Sequence, residues 1–139
     1  MAETNSTEYQ KVVNNVISDG NERNCNVARY KATIPLNSQA SGDVVNLFKV
    51  PAGQSFCFGN INSSVSLGTS TIKIGTADDD DKYRASAVHT AAGVPTAFGA
   101  ATGFVPGGNA SAEIVKLTVG TAALPASGTL IVDMYFSRT

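Results

Sequence analysis

The chain has no tryptophan, one histidine and two cysteines, and charged residues make up only 15% of its 139 residues. An average soluble domain is about 25% charged. The 10 basic and 11 acidic side chains leave a formal charge of -1, which gives no electrostatic basis for binding nucleic acid or an anionic membrane. Cys25 and Cys57 are too few for a disulfide scaffold and lack metal-ligand spacing. We therefore expect both thiols to be free, as in a reducing cytoplasm.

Targeting signals are also missing. Residues 1–8 have neither the basic region nor the apolar region of a signal peptide. No apolar run approaches the roughly 18 residues that a membrane helix needs. The sequence therefore predicts one cytoplasmically made domain with no membrane contact, of a length that suits a single hydrophobic core.

The sequence is rich in small polar residues and β-branched residues instead of charged ones. Gly, Ser, Thr and Asn together make up 50 of the 139 residues, and Val plus Ile number 21 against six Leu. This composition favours strands and argues against a helical bundle. Neutral surfaces of small side chains are typical of proteins that pack against other proteins.

Residues 1–24 form a polar N-terminal arm that carries an apolar stripe. The stripe has the i, i+3, i+4, i+7 spacing of one helix face, but the same residues also fit two short extended pieces. The two interpretations stay open, and in both the stripe is a candidate partner-binding surface. Its residues are Tyr9, Val12, Val13, Val16 and Ile17.

Residues 25–139 alternate apolar and polar side chains with period two, and turn signals recur every eight to twelve residues. This pattern predicts about eight strands and no internal helix. We expect an all-β fold, an antiparallel β-sandwich of jelly-roll type, with a small closed barrel as the alternative. The nearly continuous apolar run Asp43–Val50 predicts a strand covered on both faces.

No charged residue lies between Arg84 and Glu113. Two compatible interpretations of residues 85–112 are a long loop folded over one end of the sheet and a surface hidden by another protein. On the second interpretation, Phe98, Phe104 and Val105 are candidate partner-binding residues.

The densest charge cluster is Asp78–Asp81. Four adjacent carboxylates could attract a divalent cation, but the spacing and closing Glu of an EF-hand are absent. Alternate side chains in a strand-to-strand turn also diverge. A solvated acidic turn is the favoured interpretation, so no metal and no cofactor is expected.

Candidate catalytic groups are isolated from one another in the sequence. His89 has no second histidine with which to bind a metal, and no Gly-x-Ser-x-Gly elbow supplies a nucleophile. Cys57 lies between two phenylalanines, where a buried, inert thiol is the usual outcome. A catalytic carboxylate pair would have to come from Glu113, Asp133, Asp43 or the acidic run, and nothing marks a partner for Asp133. The sequence therefore predicts a protein that is not an enzyme.

Three segments together resemble small virion structural proteins of tailed bacteriophages. They are Ala28–Lys49 with its continuation to Pro-Ala-Gly at 51–53, Ser70–Ala85 with the Ala-Ala-Gly at 91–93, and Leu124–Phe136. The similarity covers most of residues 28–139 and much less of the arm.

The resemblance implies a capsid decoration, or cement, protein with a jelly-roll-like sandwich. Such proteins bind the outer head surface where capsomers meet and brace the shell against the pressure of the DNA. The implied partners are the major capsid protein and further copies of the chain, as a dimer or trimer. Other virion parts (a head fibre, a tail component or a head-completion protein) and a glycan-binding sandwich are the alternatives.

Overall fold

The computed structural model describes residues 10, 13–16 and 26–138. Eight strands and one short 3₁₀ turn, Ala101–Gly103, follow one another along residues 26–138. The strands are β1 Val27–Pro35, β2 Val44–Val50, β3 Gln54–Ser63, β4 Thr71–Gly75, β5 Arg84–Val88, β6 Thr96–Phe98, β7 Glu113–Gly120 and β8 Thr129–Arg138. None of the helical turns in these ranges is long and apolar enough to span a bilayer.

The strands form two four-stranded sheets with the orders β1-β8-β3-β6 and β2-β7-β4-β5. Every pair is antiparallel, and the pairs β1–β8, β2–β7, β3–β6 and β4–β5 are nested as in a long hairpin folded over on itself. This is the strand arrangement of an eight-stranded jelly roll. The predicted all-β sandwich is confirmed, and the closed barrel is not formed.

Period-two alternation explains how the strands build the core. Along β8, the even-numbered residues from Leu130 to Phe136 point inward and are buried, while the residues between them are partly exposed. β7 alternates in the same way. The largest fully buried side chains come from both sheets: Tyr83, Phe136, Ile61, Ile72, Ile74, Leu117, Leu130, Met134, Val50, Val115, Val119 and Val132.

The prediction that Asp43–Val50 is covered on both faces is wrong. β2 is an edge strand, and Val44 is 53% exposed. A bulge between Asn46 and Phe48 shifts the register against β7, and both Leu47 and Phe48 pack against the core. The bulge thus explains the apolar run, because two consecutive side chains can turn toward the same face.

The nested topology sorts the connections between two ends of the sandwich. We call the end where the chain enters β1 the entry end, and the other the far end. Because successive strands run in opposite directions, the entry end gathers residues 51–53, 76–83 and 99–112 with the last residues of β8. The far end gathers residues 36–43, 64–70, 89–95 and 121–128.

Candidate interaction surface

The uncharged segment 85–112 is not the single long loop expected from the sequence. It contains most of β5, all of β6 and the 3₁₀ turn, and parts of it lie at both ends of the sandwich. Only its second half, residues 99–112, lies at the entry end. We call this half the entry loop.

Main-chain and side-chain hydrogen bonds hold the entry loop against the sandwich. Ala100 N donates to Tyr83 O over 2.8 Å, and Thr102 Oγ1 donates to Lys82 O over 2.7 Å. The buried Asn109 side chain accepts from Gln54 N at 2.9 Å and donates to Pro51 O at 3.1 Å. These bonds pair polar backbone groups that strand pairing leaves unsatisfied, so the loop has a defined conformation.

Phe104 is the main exposed apolar side chain of the entry loop. Its ring packs on Phe56 with the centroids 5.2 Å apart, yet 47% of its surface remains exposed. The preceding residue, Gly103, lies so close to Tyr83 that an added Cβ would be 2.7 Å from the ring. Val105 is half-buried, and its carbonyl accepts a 3.3 Å hydrogen bond from Ser55 Oγ.

Phe98 does not belong to this exposed surface, contrary to the sequence interpretation. It pairs with Gly59 across β6 and β3, and its side chain is only 9% exposed. A Cβ at Gly59 would collide with the Phe98 ring. The glycine thus leaves space for a ring that closes the edge of the core, and Phe98 is a core residue rather than a contact residue.

Part of the N-terminal stripe is described. Asn14 N donates to Gln10 O over 2.9 Å, which is the hydrogen bond of one helical turn, and Asn15 follows with a left-handed φ of 57°. Val13 and Val16 are 51% and 53% exposed. At this point the chain therefore adopts the helical alternative. Tyr9, Val12 and Ile17 lie outside the described residues, as does Cys25.

A polar cluster joins the two ends of the uncharged segment. Lys82 Nζ donates to Glu113 Oε2 over 3.0 Å, and the buried Tyr83 hydroxyl donates to Glu113 Oε1. Burial and this carboxylate raise the pKa of Tyr83 far above its usual value, so the hydroxyl stays protonated. The sequence does not show these contacts, because about thirty residues separate Glu113 from the residues that bind it.

The acidic turn Asp78–Asp81 lies beside the entry loop. Lys73 Nζ binds Asp80 Oδ2 at 2.5 Å. A hydrogen bond with Asp79, burial and the neighbouring carboxylates raise the pKa of Asp81. The carboxylates of Asp79, Asp80 and Asp81 approach within 4.8 Å of one another. The arrangement is that of an acidic turn with one ion pair.

The other candidate catalytic groups have structural surroundings. Asp133 accepts two hydrogen bonds from Arg29, at 3.0 and 3.1 Å, across β1 and β8. Cys57 is free and half-buried in β3, whereas His89 follows β5 in the other sheet. The sequence interpretation of Cys57 as buried is therefore corrected: it lies at a bulge between Phe56 and Phe58.

Comparison with known proteins identifies the fold. No protein-family model matches the chain, and no curated protein matches its sequence. A chain of the cyanophage Pam1 capsid asymmetric unit is similar in structure, with a TM-score of 0.69 and 16% identity over 100% of both chains. A chain of the Ralstonia phage GP4 capsid gives 0.66 and 16%, over 82% of this chain and 85% of that one.

A chain from the acid-stable capsid of the Helicobacter pylori bacteriophage KHP30 is also similar. Its TM-score is 0.54 at 13% identity, over 80% of this chain and 86% of that one. At these identities the likeness establishes a shared fold.

Proposed function

We propose that the chain is a non-enzymatic structural protein of a bacteriophage virion, and more specifically a capsid decoration, or cement, protein. It would bind the outer surface of the head through the major capsid protein and stabilise the shell at capsomer junctions. The observation that carries the proposal is the match to the Pam1 capsid chain over the whole length of both chains.

Composition supports an accessory role in such a shell. A chain with 15% charged residues and a formal charge of -1 has little charge to desolvate when it packs against another protein. Many copies on one symmetric shell also act together, so a modest affinity per copy suffices. We expect the copies to associate as dimers or trimers on the head.

The entry end is the surface we assign to the shell. Phe104 and Val105 lie there on a loop with no charge, and the chain that leads from residues 1–24 into β1 arrives at the same end. The start of β1 and the entry loop therefore lie at the same end of the sandwich. An exposed aromatic ring with a fixed backbone is a common interface anchor.

Replacing Phe104 with serine is expected to weaken binding to shells of the major capsid protein by about fivefold or more, since aromatic interface anchors cost over about 1 kcal/mol when truncated. Binding is measured by co-sedimentation of the purified chain with undecorated heads. Val94→Ser is the matched control, because Val94 is 54% exposed in the same uncharged segment but lies at the far end. Equal losses in both variants would contradict the assignment of the entry end.

Deleting residues 1–20 is expected to leave a folded sandwich that no longer stays on heads. The sandwich should fold because its eight strands pair within residues 27–138, and the deletion removes the apolar stripe proposed to bind a neighbour. Circular dichroism checks the fold, and co-sedimentation checks binding. Stoichiometric binding by the truncated chain would rule out the arm as a contact element.

A glycan-binding sandwich is the second candidate, favoured by one observation. Phe58 and Tyr135 stack with centroids 4.5 Å apart and an interplanar angle of 13°, and Phe58 is 44% exposed. Exposed aromatic faces can stack on sugar rings. Binding to a glycan array that Phe58→Ala abolishes would favour this candidate over the capsid role.

A further inference from the structure

His89 is the chain's only histidine and follows directly after β5 at the far end. His89 is 3% exposed, and its main-chain carbonyl accepts a 3.0 Å hydrogen bond from Leu67 N. His89 is therefore buried at the point where its main chain meets loop 64–70. Nothing in the proposed function uses this buried titratable group.

The Nε2 atom of His89 has no hydrogen-bond partner. Across residues 26–138 it is the one buried side-chain nitrogen or oxygen in that condition. A buried polar atom without a partner lowers stability, and native structures contain few of them. Protonation of the imidazole would increase this loss of stability, because the charged ring has two N–H donors and both need an acceptor.

The positive charge of Arg84 further disfavours protonation of the His89 imidazole. Its guanidinium donates to Ile72 O, to Ala87 O at 3.1 Å and to Val88 O at 3.3 Å. The side chain thus extends along β5 from its first residue to the end next to His89. Its bond to Ile72 O spans the position where the β4–β5 register shifts.

No carboxylate on the packed elements compensates for this positive charge. Lys73 is the charged residue of β4, and its partner Asp80 is in the acidic turn at the entry end. Loops 64–70, 89–95 and 121–128 contain no charged residue. Burial first, and then the charge of Arg84, lower the pKa of His89 below its ordinary value of 6.5.

We propose that β5 and loop 89–95 form an acid-sensitive edge of the sandwich, in which protonation of His89 beside Arg84 releases β5 from β4. β5 is suited to release, because it has five residues, four of them exposed, and pairs with β4 alone. Release uncovers the edge of β4, a row of unpaired backbone groups that can pair with another strand. The inference is independent of the proposed capsid role.

The direction of the pH effect follows from the proton balance. Well above pH 6.5 the imidazole is neutral in both the closed and the opened state, so opening does not depend on pH. As the pH falls below 6.5, the opened state binds a proton that the closed state does not. Opening is then favoured by up to about tenfold per pH unit until the closed state also protonates.

The direct test is an NMR titration of the single imidazole together with hydrogen exchange of the folded protein at pH 7.5 and 5.0. We expect His89 to titrate below 6.5. After correction for intrinsic rates, amides of residues 84–92 should exchange about tenfold faster at pH 5.0, whereas those of β3 and β8 should not change. Titration at or above 6.5 would overturn the proposal.

Two variants separate the imidazole from other acid-titrating groups. His89→Gln and the apolar His89→Met both retain every carboxylate, including Asp81, whose pKa is raised. The pH-dependent part of the exchange in residues 84–92 should disappear in either variant that folds. If it persists in a folded variant, the carboxylates cause it and His89 does not.

Discussion

Replacing Glu113 with alanine is expected to lower the free energy of unfolding by about 3–5 kcal/mol, the usual effect of removing one partner from a buried ion pair. Lys82 and Glu113 are each only 15% exposed, so Lys82 would keep its charge with little water to solvate it. The Tyr83 hydroxyl would lose its acceptor in the core. Urea denaturation monitored by tyrosine fluorescence and circular dichroism measures the change.

Two further variants define the origin of this loss. Glu113→Gln keeps an acceptor for the tyrosine but removes the charge, and we expect it to be less damaging than alanine. The triple variant Lys82→Met, Tyr83→Phe, Glu113→Leu removes the polar groups together and is expected to recover much of the stability, since apolar residues often replace a buried ion pair without loss. A loss below about 1 kcal/mol for Glu113→Ala, the range of exposed pairs, would show that the cluster is solvated.

The substitution Glu113→Ala should also loosen the entry loop. Thr102 and Ala100 both bind carbonyls of residues 82 and 83, so the loop is attached to the backbone that the cluster fixes. Faster hydrogen exchange in residues 99–105 of Glu113→Ala would establish that link. Shell binding, if it uses Phe104, should then weaken although Glu113 itself is 15% exposed and is not proposed to contact the shell.

The strands were predictable because their signal is local. In β8 the apolar residues recur at every second position, and the same holds in β7, so each strand and its buried face follow from a short stretch of sequence. Their pairing follows less directly, since β1 and β8 are about a hundred residues apart. The prediction of a jelly roll used the number and spacing of strands and the resemblance.

The errors arise where one residue's position depends on a distant one. The apolar run of β2 was interpreted as a doubly covered strand because a bulge leaves no mark in the sequence. Phe98 was assigned to a contact surface because Gly59, which makes room for it, is about forty residues away. The partners of Glu113 were missed for the same reason.

The candidate interface was predictable in composition but not in extent. The absence of charge in 85–112 is visible in the sequence, and the segment includes Phe104, which is exposed. Only the fold divides the segment between the two ends of the sandwich, with Val94 at one end and Phe104 at the other. Because Val94 and Phe104 lie at opposite ends, substitutions at these two residues form a matched pair.

Replacing Phe56 with alanine is expected to lower the free energy of unfolding by about 3–5 kcal/mol, as for other buried phenylalanines. Phe56 is 3% exposed, and its ring centroid lies 4.9 Å from that of Tyr83 and 5.6 Å from that of Phe136. The Phe56 ring also packs against the ring of Phe104. The cavity would therefore open between the core and the entry loop.

Phe58→Ala is the matched control for this substitution, because the bulge at Cys57 puts two phenylalanines of one strand on opposite faces. Phe58 is 44% exposed and stacks on Tyr135, so we expect a loss of only about 0.5–1.5 kcal/mol. Similar losses for both variants would contradict the assigned faces. A double variant of Phe56 and Phe104 should lose less than the sum of the single losses, since contacting residues are energetically coupled. That coupling would make the entry loop an extension of the core, which is how an exposed ring keeps a fixed position for a partner.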